Sequence, residues 1–201
     1  MQLFPPRLRP ALLWLATTTA AAIPAAVAGI LALDLLNALV PSSSAIYSRL
    51  FPVSFPAISI SLGVGSVIGF FQWLILRRYL AHAWLWIPIT ALAFPISIQA
   101  IELLRLQGSD GSVIFVAPVS FAQWLYLRRE LPRSSSWVWA HSAMAITSLI
   151  AQPFPRSTDC CINLYDILTG SLLFGLYIGV PGAAALLLMF HSPQSSPNGA
   201  A

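Results

Sequence analysis

Four residues have the type and position to hold a charged or polar ligand: Asp34, Glu102, Arg105 and Asp166. Each stands near the margin of a long apolar run. Ionisable side chains in such places face a cavity or a partner, because lipid does not solvate them. Glu102 and Arg105 are spaced i,i+3 and can pair on one helix face. One expectation is therefore an outward-facing polar cluster for a cation or solute. The plainer alternative is four solvated span ends. His141 stands alone in its run, where a histidine more often donates a helix-packing hydrogen bond than ligates metal or haem. Cys160 and Cys161 are adjacent and bridge only with strain, and no Cys-x-x-Cys pair is present. Free thiols, or a link to a partner, are expected. The chain has no Gly-x-Ser-x-Gly turn, no His-Glu-x-x-His and no phosphate loop. A non-enzymatic protein with no cofactor and no metal is the resulting expectation.

The elements that position these residues follow from composition. Apolar residues make up 58% of the 201 positions and charged residues only 8%, with mean hydropathy +0.80. A soluble domain carries about 25% charge, and one this small must face water over much of its surface. Lipid is the solvent that fits. The sequence pI near 9.6 would suit nucleic acid, but all the basic residues are arginines and most flank apolar runs. Membrane topology accounts for them and nucleic acid does not.

Six apolar runs approach the roughly 20 helical residues needed to cross a bilayer. They lie near Ala11–Val40, Ala57–Leu76, Trp84–Leu104, Ser112–Leu127, Trp137–Phe154 and Ile167–Phe190. Continuous rather than alternating apolar sequence favours helices over a barrel. The expected fold is an all-α polytopic membrane bundle of about six transmembrane helices. It forms one domain over 1–190, followed by a disordered Pro/Gly/Ser-rich tail at 191–201. Arg7, Arg9, Arg77, Arg78, Arg128, Arg129 and Arg133 fall on one side, and Arg49, Arg105 and Arg156 on the other. That bias places both termini in the cytoplasm. A competing reading makes the first run a signal peptide cleaved after Ala26-Val27-Ala28, but apolar sequence continues beyond it.

A repeat organises the chain. Gln72–Leu80 reads QWLILRRYL, and QWLYLRREL returns fifty-one residues later at Gln123–Leu131. A Trp-x-Trp follows each: Trp84 and Trp86, then Trp137 and Trp139. Thirteen residues beyond the second tryptophan of each pair stand Gln99 and Gln152. Three tandem helical hairpins are expected, at about 1–76, 77–127 and 128–190. The tryptophans and arginines of each junction are expected as interface anchors, with Trp73 on Arg77 and Trp124 on Arg128 as i,i+4 stacks. Gly65, Gly69 and Gln72 share one face of their helix, Ser120 and Gln123 the matching face of the next copy, and Gly175, Gly179 and Gly182 that of the last run. Small residues permit close backbone approach. These three faces are expected to pack against one another.

At its QWLxLRR and Trp-x-Trp residues the chain resembles a group of uncharacterised multi-pass bacterial membrane proteins, many of them cyanobacterial, with repeated WLxLRR turns. The resemblance runs from about Gly63 to Leu149. It implies the architecture and a bacterial inner or thylakoid membrane, and no activity. Two functions are then expected. The first is an interaction or assembly factor that packs against a membrane partner or a second copy. The second is a small-solute binding or transport subunit with an outward-facing polar cavity. In size and composition the chain is similar to the binding subunit of energy-coupling-factor transporters, and TTTAAAIPAA (17–26) offers a small-residue face.

Overall fold

A computed structural model of the protein describes residues 8–39, 55–105, 109–131, 133–151 and 164–190. Among these residues the chain forms six α-helices and no strand. They are α1 (Arg9–Leu39), α2 (Phe55–Leu76), α3 (Trp86–Leu104), α4 (Ser109–Glu130), α5 (Ser135–Ala151) and α6 (Leu164–Phe190). A single 3-10 turn, Ala83–Leu85, leads into α3. Four helical segments are long and apolar enough to cross a membrane: Arg9–Leu36, Pro56–Leu76, Ala83–Leu104 and Gly170–Met189. Helix α5 has 17 residues, and α4 carries charge at both ends. Cys160, Cys161, Gln152, Arg7, Arg49, Arg156 and the tail lie outside the described residues, as does the side chain of Asp166.

Local chemistry explains why these segments stay helical. Pro24, Pro95, Pro118 and Pro181 stand inside helices, where each removes one backbone donor. Membrane bundles tolerate this because neighbours and hydroxyls re-satisfy the freed groups. Close to Pro95 and Pro118, though not on the carbonyls these prolines free, the Ser97 hydroxyl donates to the Ala93 carbonyl at 2.9 Å, and Ser120 to Val116 at 2.8 Å. Helix α2 stops at the arginine pair, where the Arg78 amide donates to Ile75 at 3.1 Å and the Tyr79 amide to Leu76 at 2.8 Å. Helix α3 ends on Arg105, which adopts φ 54°, ψ 35°, the left-handed conformation that closes many helices. It is the one non-glycine residue with positive φ among those described.

The helices close into a ring. Each packs on its neighbours in chain order, and α6 returns to pack on α1. Among the described residues no other pair of helices brings Cα atoms within 8 Å. The small-residue faces supply the close seams. A Cβ on Gly65 would meet the Thr90 carbonyl at 3.0 Å, and one on Gly69 the Ile87 carbonyl at 3.2 Å, so α2 lies tight on α3. A Cβ on Gly175 would meet the Thr19 Cα at 2.8 Å, and one on Gly179 the Leu15 side chain at 3.2 Å, so α6 lies tight on α1. This corrects the expectation that α2, α4 and α6 pack together. They alternate around the ring and face the odd-numbered helices.

A ring of six has a centre to fill. In an ideal hexagon the centre is as far from each helix axis as neighbouring axes are from each other, about 9 Å. Backbone cannot reach it, so long side chains must. At the end bearing the arginine pairs, Trp14, Trp86 and Trp137 do this, one from each odd-numbered helix. Their rings meet edge to face in all three pairings, at 5.9, 5.4 and 5.5 Å between centroids. Such pairs contribute about 0.5–1.5 kcal/mol each beyond burial. Leu76, Leu127 and Leu186 surround them from the even-numbered helices.

Candidate functional site

The axis is layered, and each layer follows from helical spacing. One turn beyond each tryptophan lies a buried polar residue: Thr18, Thr90 and His141. Gln72 and Gln123 join this layer from α2 and α4. The Trp86 indole N–H donates to Gln72 Oε1 at 2.8 Å, and Gln123 Nε2 donates to the Thr90 hydroxyl at 3.1 Å. Both glutamines thus bond to α3, from opposite sides. His141 Nδ1 lies 2.8 Å from the Trp137 carbonyl oxygen, which only accepts, so Nδ1 carries a proton and donates. In α6 the place of the glutamine is taken by Gly182. There the Trp14 indole occupies the space a Cβ would need, and among the described residues its N–H has no partner.

Above the polar layer, Phe94, Phe115 and Phe174 form a second aromatic group. Phe94 sits 5.1 Å from Phe115, and Phe115 sits 5.8 Å from Phe174, centroid to centroid. Beyond them the side chains become small, and a cavity of about 510 Å³ opens. Ala22 and Ala26 form its α1 wall, Ala57, Ile60 and Val64 its α2 wall, and the phenylalanines its floor. It reaches the arginine-poor end at Ala57 and Gly170. Ser61 and Ser171 are its only polar lining residues among those described, and the Ser61 hydroxyl is already bonded to the Ile58 carbonyl at 3.0 Å. The volume suits a small-molecule site. The lining offers apolar contact and edge-to-face aromatic surface, with no charge to recognise an ion.

The residues singled out in the sequence fall in several places. Asp34, Glu102 and Arg105 are exposed and do not line the cavity. Gly65, Gly69, Gly175, Gly179 and Gln72 are buried in helix seams, as are Ser120 and Gln123. Arg77 stacks 5.2 Å from the Trp73 ring and Arg128 5.3 Å from the Trp124 ring. Arg78, Arg129, Trp84 and Trp139 are exposed at the same end. Trp86 and Trp137 are not interface anchors, because at 0% and 1% exposure they form the axial plug. The Trp-x-Trp pairs therefore match with a slip of two: Trp86 corresponds to Trp137, keeping the fifty-one-residue offset of Gln72 and Gln123. Sequence reasoning passed over Phe94, Phe115, Phe174, Thr18 and Thr90. The signal available was a polar residue four places after each buried tryptophan. Among the described residues no three His, Cys, Asp or Glu side chains gather at one point. In comparisons with family models, curated proteins and solved structures, the chain matches none.

Proposed function

We propose that the chain crosses a membrane six times and is a non-catalytic binding protein that holds a small apolar molecule in its axial cavity. The observation that carries this reading is the cavity itself: about 510 Å³, apolar among its described lining residues except for Ser61 and Ser171, and backed by the phenylalanine floor. Behind the floor lie the polar layer and the three-tryptophan plug. A site closed behind by a plug suits binding or delivery better than conduction. The arginine bias supports a cytoplasmic position for the plugged end. Together with the WLxLRR resemblance, it supports a bacterial inner or thylakoid membrane.

The assembly reading drew on small-residue helix faces. Those at Gly65, Gly69, Gly175 and Gly179 are occupied by the chain's own helices, so they provide no reason to expect a partner. The test is the native mass of the protein extracted gently from its own membrane, compared with Ala26→Phe, which fills the cavity from α1. A discrete small-molecule mass in the first and its loss in the second is the expected result. A bare protein in both would sink the reading. A stoichiometric protein partner retained equally by both would replace it with the assembly role.

A further inference from the structure

A second concavity lies on the outside of the ring, between α3 and α4, with a volume of about 350 Å³. On one side Leu85, Ile89, Leu92 and Ile96 form a stripe at helical spacing. On the other side Pro118 and Ala122 are small enough to leave a trough. From Leu85 to Ile96 the trough runs about 16 Å at the helical rise of 1.5 Å per residue. That is close to half of a hydrocarbon core about 30 Å thick, the depth of a single leaflet.

The arginine-rich end of the trough is built differently. Arg129 closes it, with its side chain exposed. Glu130, next in sequence, is 3.6 Å from His82, and among the described residues Arg129 has no carboxylate within 4.0 Å. Tyr126 also lines the trough, is 7% exposed, and packs on Trp86 at 6.0 Å between ring centroids. The matching stretch of α2 carries Arg78 as well, but Phe71 stands where Ala122 does and Ile75 where Tyr126 does. That copy keeps the cation but sets a large ring where α4 has a methyl group.

We propose that the α3–α4 trough binds one anionic phospholipid of the arginine-side leaflet. Its phosphate sits at Arg129, and one acyl chain lies along the leucine and isoleucine stripe. The site is separate from the axial cavity and stands or falls without it. The purified full-length protein in detergent is titrated with phosphatidylglycerol and, separately, with phosphatidylcholine of the same chains, and bound lipid is counted by native mass. One phosphatidylglycerol is expected to be retained about fivefold in preference, the scale of one arginine near a headgroup. Arg129→Gln removes the preference, Ala122→Phe lowers retention of both lipids, and Arg78→Gln changes neither. Equal losses from Arg78→Gln and Arg129→Gln would show a general basic rim and overturn the proposal. So would a preference that survives Arg129→Gln.

Discussion

The two ends of the bundle axis solve the same geometric problem in opposite ways. At the arginine-rich end, three indoles and three leucines fill the centre of the ring. At the other end α1 presents Ala22 and Ala26, α2 presents Ala57, and the described residues leave a cavity of about 510 Å³. The helices, the ring and the neighbour relations are the same at both ends. Side-chain size alone decides whether the axis is a core or a chamber. The plugged half holds the ring together, and the open half is free to accept a ligand.

That contrast can be broken most forcefully at Trp86. Trp86→Ala removes a wholly buried indole from the plug and leaves Gln72 Oε1 without its donor. The expected loss is about 3–5 kcal/mol, the range for large aromatic deletions in packed cores. It would be read as a fall in resistance to unfolding in mixed micelles. Phe115→Ala, beside space that is already empty, should cost clearly less. Equal losses would mean that the two halves are not packed differently.

A glycine pair sharpens the comparison. Gly175→Ala drives a Cβ to 2.8 Å from the Thr19 backbone at the α6–α1 seam, while a Cβ at Gly170 meets nothing within 4 Å. The first is expected to destabilise by about 1–3 kcal/mol through overpacking. The second is expected to be neutral or stabilising by up to about 1 kcal/mol, since alanine is the better helix former. Thermal unfolding of the two variants in one detergent decides it. The smallest effect belongs to the polar layer. Gln123→Leu removes the bond to Thr90 and should cost about 0.6 kcal/mol, the average for such bonds between membrane helices. A much larger loss would mean that the layer holds the halves together, rather than only setting their register.

Much of the fold was legible from the amino acids, and the reason differs by feature. The six apolar runs predict the six helices of the described residues to within a few positions, because the length of a continuous apolar run is a local property. The Trp73–Arg77 and Trp124–Arg128 stacks lie within one helix and follow from its period. What meets a glycine face is not local. The pattern Gly65, Gly69, Gln72 names a face but not its partner, and α3 takes that place rather than α4 or α6. The Trp-x-Trp match misled for a related reason. Two residues turn a helix by about 200°, so one tryptophan of each pair faces the axis and the other faces outward. The motif itself does not say which. The chamber was least legible of all, since it is made of what five helices do not fill. The acids at the run margins drew attention because they are rare, yet Asp34 and Glu102 lie outside it.

The seam between α6 and α1 also sets a schedule. It joins segments separated by about 150 residues of chain, which at 5–20 residues per second takes roughly 8–30 s to synthesise. Throughout that interval the Thr19 and Ala22 face of α1 waits without the glycines that will cover it. Until the last helix is made, the contact that closes the ring cannot form.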